Sequence, residues 1–167
     1  RRLAETDGLT ELYNRRGIER RMTQTKENYA ALMIDIDNFK VINDNFGHIV
    51  GDIVIKNVVA IILKNVRESF VGRYGGEEFY VELQLTDKYG GKITGERILK
   101  SVEKLAIEYV IQDLKKRSIV THKKLKKITV SIGVADEQQG VSTYDVLEKA
   151  DQALYNAKKA GRNIVVA

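Results

Sequence analysis

Two segments of strand character, Phe70 to Tyr74 and Phe79 to Leu85, flank the tetrapeptide Gly75-Gly76-Glu77-Glu78. The second segment alternates apolar and polar side chains with almost no break. A glycine pair between such segments predicts a β-hairpin, since glycine supplies the positive φ angles that tight turns take. A hairpin in mid-chain with helical patterns on both sides predicts a mixed, mostly antiparallel sheet flanked by helices.

The rest of the chain fills that frame. A charge-rich helix is expected over about residues 9–26, opened at Asp7 or Thr10. Tyr29 to Ile34 is a continuous apolar run of strand length that ends at Asp35. A short helix follows over about residues 38–46, and Asp52 is expected to open a longer apolar helix to Arg67. Ile98, Val102, Leu105, Ala106 and Tyr109 share one helical face. Ile128 to Val134 reads as a strand, and Val146, Leu147, Ala150, Ala153, Leu154 and Ala157 line a last helix that Gly161 stops. Asn163 to Val166 is a final strand. The fold class predicted is α+β, with a ferredoxin-like or palm βααββαβ core. Residues 1–167 are expected to form one domain.

The chain has no cysteine, which excludes disulfides and cysteine-held zinc and is compatible with a reducing cytosol. No apolar run approaches the ~20 residues that span a bilayer. The first residue is Arg1 rather than Met, which suggests a piece of a longer protein. The formal net charge is +5, and much of it lies in Lys115-Lys116-Arg117 and in Lys123-Lys124-Leu125-Lys126-Lys127. No aromatic residues interleave with these lysines, so a solvated face or hairpin tip is the better reading than a nucleic-acid patch.

The carboxylates carry the chemistry. Asp35 and Asp37 are two residues apart, a spacing that points both side chains the same way from a strand. If the hairpin pairs beside the first strand, Asp35 and Glu77 converge at one end of the sheet. Converging carboxylates repel unless a cation sits between them. Magnesium takes carboxylates, waters and phosphate oxygens, so this pattern suits a divalent ion on a nucleoside triphosphate. Singly, an Asp at a strand end is usually a cap, and a Gly-Gly-Glu-Glu turn is usually only a hairpin tip. Their combination with Phe39-Lys40, Ile42-Asn43-Asp44, Phe46-Gly47-His48 and Gly51-Asp52 makes a dense polar set that packing does not require.

Arg73-Tyr74-Gly75-Gly76-Glu77-Glu78-Phe79 resembles the signature of the GGDEF family of diguanylate cyclases, with Glu in place of the first acidic Asp. Asp7 to Arg16 resembles the family's leading segment, and Ile34 to Asp52 its metal and guanine segment. Thr129 to Ala135 resembles its late strand, and Ala157-Lys158 through Gly161-Arg162-Asn163 its closing element. The motifs follow the family's order over nearly the whole chain.

The resemblance implies condensation of two GTP into cyclic di-GMP with release of two pyrophosphates. It implies Mg2+ or Mn2+, two per active site, held by Asp35, the Ile36 carbonyl and Glu77. Glu77 is also a candidate acceptor of the 3′-hydroxyl proton, with Glu78 a candidate for either task. Lys40 would stabilise charge on the reacting phosphate. Asn43 and Asp52 match the guanine-recognising positions; a carboxylate accepts the paired N1–H and N2–H donors that adenine lacks. His48 lies in the substrate segment. Lys158 and Arg162 would hold the outer phosphates, and their four-residue spacing is expected to put both on one side of the helix end. Asp37 is left as a supporting or purely structural group, and Phe39, Phe46 and Phe79 as core.

Each protomer would hold one GTP, so ring closure would need a homodimer. An upstream sensory domain is implied, with residues 1–7 as the tail of a linker helix, and a cytoplasmic setting, in some cases as part of a membrane-anchored sensor. Neither nucleic acid nor membrane contact is expected of the domain. Many members carry Arg-x-x-Asp before the signature as an inhibitory product site. Here Arg67-Glu68-Ser69-Phe70 has phenylalanine in the fourth place and sits one residue too close to Gly75, so no tight product inhibition is expected there. The alternative from another class is a catalytically silent GTP-binding signalling module. A palm enzyme that uses ATP or makes another linkage, and a basic ferredoxin-like RNA-binding module, fit less well.

Overall fold

The computed structural model describes residues 5–24, 27–137 and 141–167. The helices are α1 (Arg15–Met22), α2 (Phe39–Phe46), α3 (His48–Asn65), α4 (Lys88–Lys116) and α5 (Thr143–Lys159), and the strands are β1 (Tyr29–Ile36), β2 (Phe70–Arg73), β3 (Glu78–Gln84), β4 (Val130–Asp136) and β5 (Val165–Val166). The sheet order is β2-β3-β1-β4-β5. Every pairing is antiparallel except β4 with β5. β1 therefore lies between β3 and β4, and the first four strands have the ferredoxin-like order expected of a palm.

All eight residues of β1 are buried, because helices cover both faces of the sheet. Leu32, Ile34 and Ile36 pack with residues of α3 and α4, among them Val54, Val58, Ile98 and Val102. Ala31 and Met33 alternate to the other face, against Ile18 and Met22 of α1 and Val146, Ala150 and Leu154 of α5. Alternation thus sends odd-numbered β1 side chains toward α1 and α5.

Gly133 in β4 sets how close α5 can come. A Cβ there would meet the Ala150 carbonyl oxygen at 2.1 Å and the Leu154 nitrogen at 2.2 Å. The helix backbone lies directly on the strand backbone, which only glycine permits. α5 starts with a reciprocal cap between Ser142 and Asp145. It ends as expected at Gly161, whose φ is +112°. The Gly161 and Arg162 N–H groups donate back to the Lys158 and Ala157 carbonyls at 3.4 and 3.1 Å.

The structure corrects several boundaries. α1 starts at Arg15, not near residue 9, because residues 5–14 form a closed turn instead. The Thr10 N–H and hydroxyl donate to Asp7 Oδ1 at 2.9 and 2.6 Å, and Thr6 bridges Tyr13. Asn14 then caps the helix by accepting from the Gly17 N–H. The expected linker-helix tail lies partly outside the described residues; its remainder, residues 5–7, belongs to this turn. Asp52 does not open α3, which begins four residues earlier, after Gly47 with φ +83°. The lysine run 123–127 is an irregular loop beside α2, not a hairpin tip, and Lys123 Nζ donates to Asn45 Oδ1 at 2.6 Å.

Candidate active site

The antiparallel register of β1 and β3 puts Asp35 opposite Glu78, as a cross-strand pair on the α5 face. The Ile36 N–H donates to the Glu77 carbonyl at 3.2 Å, which ties the turn to the end of β1. The Tyr74 and Gly75 N–H groups both donate to the Glu78 carbonyl, at 2.8 and 3.3 Å, and close the turn. Neither Gly75 nor Gly76 has a left-handed φ, contrary to expectation. The need at Gly75 is for space. A Cβ there would stand 2.7 Å from Glu78 Oε2, so the glycine lets the Glu78 carboxylate fold back over the turn.

Asp35 is buried, and Lys158 Nζ from the last turn of α5 donates to its Oδ2 at 2.8 Å. Burial raises the Asp35 pKa; the Lys158 hydrogen bond and charge oppose this, while Glu77 and Glu78 add to it, and the net is a pKa of about 6. Glu78 is raised chiefly by burial, with Lys158 lowering it and Asp151 and Glu77 raising it. The electrostatics of this sheet end therefore call for positive charge. Among the described residues no group of three or more His, Asp or Glu forms a ready-made metal cage.

Asp37 is a brace. Its carboxylate accepts from the Thr129 and Ser131 hydroxyls at 2.7 and 2.6 Å and from the Asn163 N–H at 3.1 Å. It locks the end of β1 to β4 and to the turn after α5. The Thr129-x-Ser131 spacing was the available signal, since two hydroxyls on one face of a strand suit a neighbouring carboxylate.

Asn43 and Asp52 lie on α2 and α3, which pack together. Asn43 Oδ1 is buried and has no hydrogen-bond partner among the described residues, which is costly unless a ligand supplies a donor. The Asn43 amide lies over Gly51, where a Cβ would be 1.9 Å from Oδ1. Asp52 is exposed one turn into α3, and His48 is exposed at its first position. Lys40 is exposed in the first turn of α2. Arg162 is not on the helix with Lys158; it lies past the α5 cap, exposed, at φ +65°. The structure thus brings Asp35, Glu77, Glu78 and Lys158 together, and among the described residues Lys40, His48, Asp52 and Arg162 have no side-chain partners. Phe39 and Phe79 are buried and Phe46 partly so, as expected.

The fold and this sheet end define an α+β domain of the palm arrangement with a carboxylate cluster at the strand ends. Residues 4–164 match the profile of the family described as "Diguanylate cyclase, GGDEF domain", and the chain belongs to that family. It is 38% identical over 174 residues to the probable diguanylate cyclase DgcT of Escherichia coli K12, covering 98% of this chain and 36% of that protein. It is 43% identical over 144 residues to diguanylate cyclase A of Treponema denticola, covering 85% of this chain and 36% of that protein. The chain thus spans little more than a third of these relatives. Among solved structures, the GGDEF domain of DgcB from Caulobacter crescentus in complex with c-di-GMP has a TM-score of 0.83 at 34% identity, over 100% of this chain and 94% of that one. The active GGEEF domain of a diguanylate cyclase from Vibrio cholerae has a TM-score of 0.70 at 29% identity, over 90% and 86%.

Proposed function

We propose that this domain is a diguanylate cyclase that condenses two GTP into cyclic di-GMP and two pyrophosphates. The observation that carries the reading is the Asp35–Glu78 cross-strand pair with Glu77 beside it, three carboxylates acting on one another at a buried sheet end. These residues fit a divalent cation, because burial and mutual repulsion hold Asp35 well above the usual carboxylate range. Asp35, the Ile36 carbonyl and Glu77 would hold two Mg2+ or Mn2+, with phosphate oxygens and water completing the shell. Bound there, the metal supplies charge neutralisation at the triphosphate and a lowered pKa for the attacking hydroxyl.

The chain's own residues do the rest. The 3′-oxygen of one GTP bonds to the α-phosphorus of the other, and the bond to pyrophosphate breaks. Glu77 takes the hydroxyl proton, with Glu78 close enough in the turn to assist. Lys40, Lys158 and Arg162 neutralise the phosphates. Asn43 and Asp52 accept guanine's donors, and the partnerless Asn43 Oδ1 supports this. His48 positions the nucleotide.

One GTP per protomer makes a homodimer the working unit. The length of the relatives supports an upstream sensory domain, and the coiled coil solved with the GGDEF domain of DgcB supports a helical link to it. Among the described residues no helix is long and apolar enough to cross a membrane. The cytoplasm, where GTP is made, is the proposed setting.

The test is direct. The domain, alone and as a forced-dimer fusion, is incubated with GTP and Mg2+, and a cyclic dinucleotide is sought by mass. Glu77→Gln should remove the product and keep the fold. Absence of product from both forms would favour the silent GTP-binding reading.

A further inference from the structure

Lys158 is the one cation that the fold brings into contact with a carboxylate of the cluster, among the described residues. The Lys158 side chain is about one-third exposed, whereas that of Asp35 is 8% exposed. The α5 backbone is fixed against β4 at Gly133, so the helix cannot move off the sheet without unpacking. The lysine side chain can move alone, because its four-carbon stem is flexible and one flank is open to solvent.

A metal ion ligated by Asp35 and an ammonium 2.8 Å from the same carboxylate compete for one negative charge. The buried carboxylate cannot be left bare, and a cation already on it weakens the hold of a second. A triphosphate shifts the balance. It brings several negative charges on which the ammonium can settle, beside the exposed Arg162.

We infer that Lys158 is an internal counterion that occupies Asp35 until a triphosphate draws it away, so that metal and nucleotide bind cooperatively rather than independently. This rests on the metal site proposed above. By linkage the coupling is reciprocal: metal would strengthen nucleotide binding by the same factor. The device would keep free divalent ions off a site that cannot use them without substrate.

The test is Mn2+ binding, measured by calorimetry and by the electron-spin signal of free Mn2+, without nucleotide and with 3′-deoxy-GTP, which lacks the attacking hydroxyl. Lys158→Met should bind Mn2+ without nucleotide about fivefold more tightly than wild type, the upper scale of a partly exposed ion pair. Lys158→Gln should do the same, which guards against a folding artefact in either variant. Lys159→Met, which removes a neighbouring charge that lies over Tyr155 instead, should change nothing. Unchanged or weaker Mn2+ binding in both Lys158 variants overturns the inference, as does an equal gain in Lys159→Met. If wild type binds Mn2+ with 3′-deoxy-GTP but Asp35→Asn binds it equally well, the metal-site reading fails and the inference with it.

Discussion

Arg73 grips Asp7 and the Gly-Gly-Glu-Glu turn at once. Its Nη1 donates to Asp7 Oδ1 and Oδ2 at 3.0 and 3.1 Å, and its Nε and Nη2 donate to the Gly76 carbonyl at 3.0 and 2.7 Å. A single guanidinium therefore joins the segment that enters the domain to the Gly-Gly-Glu-Glu turn. Arg73→Lys keeps the charge but loses the fork. It should lower the cyclase rate by about tenfold while shifting the melting temperature little. Full activity in Arg73→Lys would show that the turn holds its shape without this link.

The same contact predicts an acid limb in stability. Burial alone would raise the Asp7 pKa, but the Thr10 hydroxyl, the Arg73 guanidinium and the Thr10 N–H outweigh it and hold the carboxyl below 3.8. A carboxyl depressed in the folded state stabilises the fold above its unfolded pKa and loses that contribution as pH falls through the folded value. Wild type should melt above Asp7→Asn near neutral pH, and the gap should close below about pH 4. Melts taken from pH 6 to pH 2.5 test this; a gap that stays constant would argue against the assignment.

Gly51 should control guanine recognition. A methyl group at this position displaces the Asn43 amide, whose far end can swing away at little cost to folding. Gly51→Ala should raise the KM for GTP by about tenfold and narrow the preference over ATP, the result expected where the proposed role of Asn43 is a hydrogen bond to the base. A raised KM with selectivity intact would assign Asn43 a structural role only.

Gly133→Ala is expected to act on the fold. The added methyl meets helix backbone, which cannot rotate out of the way. The cost should be about 3 kcal/mol, read as a fall of about 10 °C in melting temperature. A variant melting within a degree or two of wild type would mean that α5 can lift off β4.

Product inhibition through Arg67 should be absent. Phe70 is stacked on Tyr13 at 4.5 Å and meets Tyr80 edge-on at 6.2 Å, so it fills space and accepts no hydrogen bond. Calorimetry with cyclic di-GMP should give no sub-micromolar affinity that Arg67→Ala removes.

Much of this was legible in the chain. The alternation of Phe79 to Leu85 and the apolar run to Ile34 marked β3 and β1, since a buried strand must show its period or its length. Gly161 marked the end of α5 through a conformation that few other residues adopt. The helix before β1 is shorter than its charge pattern suggests, because charge patterning cannot distinguish a helix from a turn that Asp7 and Thr10 close by themselves. A glycine pair in a hairpin suggests a conformational task, although at Gly75 the need is room for a side chain three residues on.

Sequence alone determined the chemical inventory: which carboxylates, cations and amides exist, in what order, and for most of them on which kind of element. Local periodicity carries that information because it depends only on neighbours in the chain. The partner of each group was decided by tertiary structure. Glu78 faces Asp35 because β3 pairs with β1 in one register, and a slip of one residue would turn the glutamate to the opposite face. Lys158 reaches Asp35 from 123 residues away because Gly133 lets α5 lie on the sheet. Contacts of that range follow from how two buried faces close over one sheet, and no local pattern encodes them.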